Sequence, residues 1–313
     1  MNSEDRGEGQ AIRVVFMGTP EYARRILERL LEEPGIEVSL VLTQPDRPVG
    51  RKKILTPPPV KNLAHERGIE VLQPSSLREE PVQERLRAEA PDFIVVAAFG
   101  QLLPPEVLGI APCINLHASL LPAYRGASPV QQALLQGDRY TGVTAMLMEE
   151  GLDTGPGLAY RYVLIDESTR LRELMERLTE AAAELTPRVL KRYDRLQPLP
   201  QFGALASHCS KIRRADGEIT LEEASEIRRK YRAFEGWPGV FLPNGLKLLE
   251  LEFPADDSTH RPGEILEIGE ESIDVGCSRG RVRILRLQPS GKKEMSGRAY
   301  CVGRGLKRGD SLL

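Results

Sequence analysis

What most restricts the fold of this chain is a repeated alternation of two apolar patterns. Runs of strand length occur at residues 12–17, 38–43, 93–98, 113–117, 143–148 and 158–165. Between several of them lie segments of helical period, at 21–33, 59–67, 79–89 and 128–136. Unbroken apolar runs of four to eight residues suit strands buried on both faces, and the intervening helices suit crossovers between parallel neighbours. The alternation therefore predicts an α/β unit with a mostly parallel sheet covered by helices on both faces. In such open sheets ligands bind beyond the carboxyl ends of the strands.

A chain of 313 residues with 41% hydrophobic content is long enough for about two domains. A helix of amphipathic period is expected over 168–193, with Ser168 at its start, followed by the Pro-punctuated stretch 197–206, which reads as a linker. Beyond it, a helix at 221–234 precedes short strands at 247–253, 264–268, 272–277 and 281–287, the pattern of a small β-barrel. The expected organisation is a polar, disordered tail at 1–10, a first domain at 11–196, the linker at 197–206 and a second domain at 207–313.

The net charge of −2 argues against a wholly basic nucleic-acid binder, yet residues 279–313 carry ten Lys and Arg against Glu294 and Asp310. Cys113, Cys209, Cys277 and Cys301 form no C-x-x-C pair, which fits reduced thiols in a cytoplasmic protein. The apolar runs are too short for a membrane span, and residues 1–10 lack the apolar core of a signal peptide, so no membrane association is expected.

Asn115 and His117 lie two apart on an otherwise apolar strand, so their side chains share one face, near the strand's end. An amide donor beside an imidazole suits a reaction in which a carbonyl oxygen gains charge while a proton moves. Asp153, in the glycine-dense loop Gly151-Leu152-Asp153-Thr154-Gly155, is either an ordinary turn aspartate or a carboxylate that orients the imidazole. The turn after the first strand has Gly18 alone of the three glycines of a dinucleotide fingerprint, so NAD is disfavoured. Arg47, Arg51, Lys52 and Lys53 cluster in a Pro/Gly loop suited to phosphates, or to solvent. His65, His208 and His260 have no metal-ligand spacing, and no metal is expected.

The order of these motifs is informative: Asn115-x-His117-x-Ser119-Leu120-Leu121-Pro122 with Tyr124-Arg125-Gly126, then Gly151 to Gly155, all preceded by the cationic loop. Lys211-Ile212, Asp216-Gly217, Arg232-Ala233-Phe234, Trp237-Pro238 and the stretch from Leu287 to Met295 follow. Over about residues 11–310 the chain resembles the folate-dependent formyltransferases. The resemblance implies a Rossmann-like catalytic domain and an OB-like C-terminal barrel that binds tRNA. It further implies 10-formyltetrahydrofolate as formyl donor and, as acceptor, the α-amino group of methionine esterified to initiator tRNA. Asn115, His117 and Asp153 would be catalytic. Phe99, Gly100 and Leu102, with the facing loop Ser119, Leu120, Leu121 and Pro122, would hold folate. Arg47, Arg51, Lys52, Lys53, Lys211, Lys292 and Lys293 would contact tRNA, and the enzyme would act as a monomer.

Two departures stand out: Ile219-Thr220-Leu221 replaces the family's I-D-W, and the tail 301–309 is rich in Gly and Arg where a helix is more common. The alternatives are a formyltransferase for an amino-sugar nucleotide, a formyltetrahydrofolate hydrolase, or a non-catalytic RNA-binding protein of this fold. The cationic loop and basic tail disfavour the first two, and the joint presence of Asn115, His117 and Asp153 disfavours the third.

Overall fold

The structure, a computed structural model, describes residues 11–50 and 52–313. The tail expected at 1–10 and the tRNA contact expected at Arg51 lie outside the described residues. The chain forms two compact units: the first runs to Val130 and includes Arg139–Ile165 and Glu173–Ser210, and the second comprises Gln131–Asp138, Asp166–Arg172 and Lys211–Leu313.

In chain order the first half forms β1 (Ile12–Gly18), α1 (Glu21–Leu31), β2 (Ile36–Leu42), β3 (Arg47–Val49), β4 (Ile54–Thr56), α2 (Pro59–Glu66), β5 (Val71–Leu72), α3 (Glu80–Ala88) and β6 (Phe93–Ala97). There follow α4 (Pro105–Leu108), β7 (Cys113–His117), β8 (Arg125–Gly126), α5 (Pro129–Gln136), β9 (Tyr140–Leu147), β10 (Gly157–Leu164), α6 (Leu171–Arg192) and β11 (His208–Cys209). The main sheet has the order β10-β9-β7-β6-β1-β2-β5. Its five strands from β7 to β5 are parallel, while at the far edge β9 pairs antiparallel with both β7 and β10.

The pattern of burial explains why these segments are strands. Every residue of β6 is buried, whereas the edge strand β10 leaves Tyr162 and Leu164 exposed. Val15, Met17, Leu40, Leu42, Ile94 and Val96 join Phe99, Leu103 and Val107 in one core cluster. Each such side chain contributes about 1.5–3 kcal/mol on burial. The lone Gly18 is explained by packing, because a Cβ there would lie 2.5 Å from Ala23 Cβ. The helix expected from Ser168 begins at Leu171, since the Thr169 hydroxyl and carbonyl are occupied in the turn before it by the Asp166 N–H and the Arg232 guanidinium.

The second unit contains α7 (Ala224–Ala233), β12 (Val240–Phe241), β13 (Lys247–Glu252), β14 (Ile265–Ile268), β15 (Ile273–Gly276), β16 (Arg281–Gln288), β17 (Met295–Ser296) and α8 (Gly297–Arg304). The small barrel expected here is an antiparallel sheet with the order β12-β13-β16-β15-β14, and β17 also pairs with β16. Val282, Ile284 and Leu287 of β16 are fully buried, and the buried Asp274 accepts two hydrogen bonds from Arg283 across the β15–β16 ladder. Ile219 and Leu221 are both buried, so the leucine that departs from the family pattern fills a core position while Thr220 faces solvent. The Gly- and Arg-rich tail is helical at its start: Ser296 caps α8 by accepting from the Ala299 N–H, Tyr300 and Cys301 are buried, and Gly305 closes the helix at φ 69°. Among the described residues no helix is long and apolar enough to cross a membrane.

Candidate active site

Strand β7 ends at His117, and its period of two puts Asn115 and His117 on one face with the buried Leu116 between them. Both polar side chains meet one carboxylate. Asn115 Nδ2 is 3.4 Å from Asp153 Oδ1, and His117 Nδ1 is 3.7 Å from Asp153 Oδ2. The His117 and Asp153 side chains are 7% and 11% exposed, so both are largely shielded from water.

The other side of the imidazole is already engaged: His117 Nε2 lies 2.9 Å from the Tyr124 carbonyl oxygen. A carbonyl only accepts, so Nε2 carries a proton and Nδ1 is the nitrogen turned to Asp153. Asp153 Oδ2 in turn accepts from the Gly126 N–H at 2.9 Å. The two loops that carry Tyr124 and Asp153 thus meet at His117.

Both loops need unusual backbone. Tyr124 and Asp153 have φ of 59° and 54°, in the left-handed region that costs a residue with a side chain about 1–2 kcal/mol. Gly126 has φ of 116°, and a Cβ there would fall 2.3 Å from the Cys209 carbonyl oxygen. At Gly155 a Cβ would fall 1.9 Å from the Leu147 carbonyl oxygen. Close backbone approach therefore accounts for two of the glycines flanking the catalytic candidates.

The residues expected to hold folate fall into two groups. Gly100, at φ 88°, and Leu102, 69% exposed, lie on the exit from β6, where Ala98 also turns left-handed at φ 44°. Phe99 instead packs in the core cluster, and its carbonyl accepts from the Thr19 hydroxyl. In the facing loop, Ser119 and Leu121 are buried, Leu120 lies against Gly142, and the Leu121–Pro122 peptide is cis. This loop is pinned by Thr144 of β9, whose hydroxyl donates to the Ser119 carbonyl and accepts from the Leu121 N–H, while Ser119 Oγ donates to Ala123 O. The Ser119 hydroxyl thus shapes the loop.

The cationic loop is a hairpin of β3 and β4 with Arg47, Lys52 and Lys53 exposed. Its base is anchored: Lys61 Nζ donates to both Asp46 oxygens at 2.9 Å and to Gln73 Oε1, and Arg47 donates to Gln44 Oε1. In the second unit Lys211, Lys292 and Lys293 are exposed, the last two in the turn between β16 and β17.

Nothing in the sequence alone assigns a role to Gln201, in the stretch 197–206, or to Arg125. Yet Leu199 and Gly157 exchange backbone hydrogen bonds, and Gln201 Nε2 donates to the carbonyls of Asp153 and Gly155. Residues 208–209 pair with β8 as β11, which keeps the stretch up to Ser210 in the first unit.

Residues 12–190 match the family described as Formyl transferase, and residues 211–305 match Formyl transferase, C-terminal domain. A methionyl-tRNA formyltransferase of Sulfurovum sp. (strain NBC37-1) is 58% identical over 301 residues, covering 96% of this chain and 99% of that protein. Among solved structures, HypX from Aquifex aeolicus in complex with tetrahydrofolic acid aligns with 96% of this chain at a TM-score of 0.60 and 20% identity, and the chain spans 49% of HypX. The N-formyltransferase from Helicobacter canadensis, solved with folinic acid and dTDP-3-aminofucose, aligns with 88% of this chain and 99% of its own at a TM-score of 0.66 and 16% identity. At these identities the structural likeness concerns the fold alone.

Proposed function

The chain belongs to the formyl transferase family, which it matches over residues 12–190 and 211–305, and on that premise we propose that it formylates the α-amino group of methionyl initiator tRNA with 10-formyltetrahydrofolate. The acceptor follows from relatives named methionyl-tRNA formyltransferase, 46–58% identical over nearly the whole chain. The observation that carries the chemistry is the convergence of Asn115 and His117 on the Asp153 carboxylate. The reading makes the enzyme a cytoplasmic monomer.

The acceptor amine needs little help to become nucleophilic, because a free α-amino group has a pKa of about 7.7–8.0. Its nitrogen attacks the formyl carbon, and the formyl oxygen becomes an oxyanion that the Asn115 amide stabilises by donating a hydrogen bond. The amine proton passes to the Asp153–His117 pair, directly or through a water, and from there to N10 as the bond between N10 and the formyl carbon breaks. With its Nε2 proton held by Tyr124, His117 works through Nδ1, the atom that faces Asp153. Formylmethionyl-tRNA and tetrahydrofolate leave.

Gly100, Leu102 and the Ser119 to Pro122 loop bound the folate seat in this reading, with Phe99 supporting it from the core. Arg47, Lys52 and Lys53, with Arg51 in the same loop and Lys211, Lys292 and Lys293 in the second unit, supply phosphate contacts, which position a nucleic acid without reading its sequence. The test is to incubate the protein with 10-formyltetrahydrofolate labelled in the formyl group and either methionyl initiator tRNA or a dTDP-amino sugar. Label on the tRNA is the expected result, and label on the sugar alone would overturn the reading.

A further inference from the structure

We infer that Gln201 is a positioning residue for formyl transfer, and that residues 199–209 are a working part of the active site. The inference rests on the function proposed above and assigns a role to a segment that otherwise reads as a spacer.

The Gln201 carboxamide uses all of its near hydrogen-bonding geometry on the two catalytic loops. Nε2 donates to Asp153 O at 2.8 Å and Gly155 O at 2.7 Å, while Oε1 accepts from Arg125 Nε at 3.0 Å and Nη2 at 2.7 Å. Carbonyls on one side and a guanidinium on the other permit a single orientation of the amide. Gln201 therefore ties the loop bearing Asp153 to the strand β8 bearing Gly126, whose N–H holds the Asp153 carboxylate.

The rest of the segment clasps the loop bearing Tyr124. The Tyr124 N–H donates to Ser207 Oγ at 2.9 Å, the Arg125 N–H to Ser207 O at 2.8 Å, and the Ala127 N–H to Cys209 O at 3.1 Å. Tyr124 and Asp153 are the two left-handed residues that flank His117, and such backbone persists only where its surroundings over-determine it. This one segment supplies bonds to both. Gln201 acts through Asp153 and Arg125, so its loss should displace the carboxylate from the imidazole and leave substrate binding in place.

The experiment compares Gln201→Glu, Gln201→Ala, Arg125→Ala and the Gln201→Ala/Arg125→Ala double variant with wild type. It measures kcat, both KM values, and the stoichiometry of tetrahydrofolate binding. Gln201→Glu keeps the Arg125 contact but turns a carboxylate oxygen toward two carbonyls. We expect kcat to fall by up to about a hundredfold, the scale of a displacement of about 1 Å, with both KM values and the stoichiometry unchanged. Lowering the pH toward the ordinary glutamate pKa of about 4.3 should narrow the deficit of Gln201→Glu relative to wild type, because the acid regains one O–H donor, and should not narrow that of Gln201→Ala. The double variant should be no worse than Gln201→Ala alone, as for two members of one linkage. Wild-type kcat in both Gln201 variants would overturn the inference, as would a loss of folate-binding stoichiometry in step with kcat, the mark of a purely structural role. A wild-type protein that formylates nothing would refute the function itself, and this inference with it.

Discussion

His117 Nε2 and the Tyr124 carbonyl oxygen stand 2.9 Å apart, so one nitrogen of the imidazole is committed to the backbone before any substrate arrives. The ring has only Nδ1 left for chemistry, and Nδ1 faces Asp153. Asp153→Asn replaces an acceptor by an amide that has no capacity to take the amine proton. We expect kcat to fall by at least about a hundredfold, the lower range of a general acid–base contribution, with unchanged KM values. Steady-state formylation of methionyl-tRNA checks this, and near-wild-type turnover would remove Asp153 from the mechanism.

Asn115→Ala tests a separate contribution, the donor to the oxyanion. Loss of one such donor costs about a hundredfold to a thousandfold in kcat. Pre-steady-state single turnovers would locate the effect in the chemical step, and an effect confined to KM would assign Asn115 to binding.

Gly126→Ala should be severe although it adds one methyl group. The new Cβ would meet the Cys209 carbonyl oxygen at 2.3 Å, and φ of 116° is unfavourable for alanine. The pairing of β8 with β11 must shift, and the N–H that holds Asp153 shifts with it. A loss of kcat larger than that of Gln201→Ala is the expected result. Wild-type activity would mean that the β8–β11 pairing is dispensable.

Lys52→Ala and Lys53→Ala remove exposed cations from the hairpin turn while Asp46 and Lys61 still anchor its base. The apparent KM for tRNA should rise while that for 10-formyltetrahydrofolate stays constant, and added salt should reduce the difference from wild type. Equal changes in both constants would place these lysines elsewhere in the cycle.

In the second unit the Asp256 carboxyl is held down to about 2 by the hydrogen bond from the Ser258 N–H, then by His260 and the Ser258 hydroxyl. A carboxyl whose folded pKa is depressed binds its proton less readily when folded, so its contribution to stability is present above the ordinary value of 3.8 and is lost as the pH falls toward about 2. Asp256→Asn should therefore be less stable than wild type at neutral pH, with the gap closing through that window. Denaturant midpoints measured from pH 7 down into the acid would show this, and a gap independent of pH would refute it.

How much of the molecule was legible from its sequence depended on how local the cause was. Strand β7 could be read to the residue, at 113–117, because it is short, apolar and bounded by turns. The hairpin of β3 and β4 was read only as a cationic loop, since its exposed Val49, Ile54 and Leu55 present no buried face to alternate against. The stretch 197–206, expected to be a linker, was legible only as irregular backbone for a similar reason. Proline and glycine composition marks irregular backbone correctly but carries no information about what that backbone touches.

The sequence by itself determined the layered α/β architecture and put an amide and an imidazole on one face at the end of a strand. Both follow from burial repeating at the period of a strand or a helix, a cause contained within a few residues. Only the tertiary structure decided that Tyr124 claims one side of His117, that Gly126 holds Asp153, and that Gln201 ties these loops together. The last two join residues 27 and 48 positions apart through loops with no period. Such contacts arise because left-handed backbone and partly buried polar groups must find partners wherever the fold brings them.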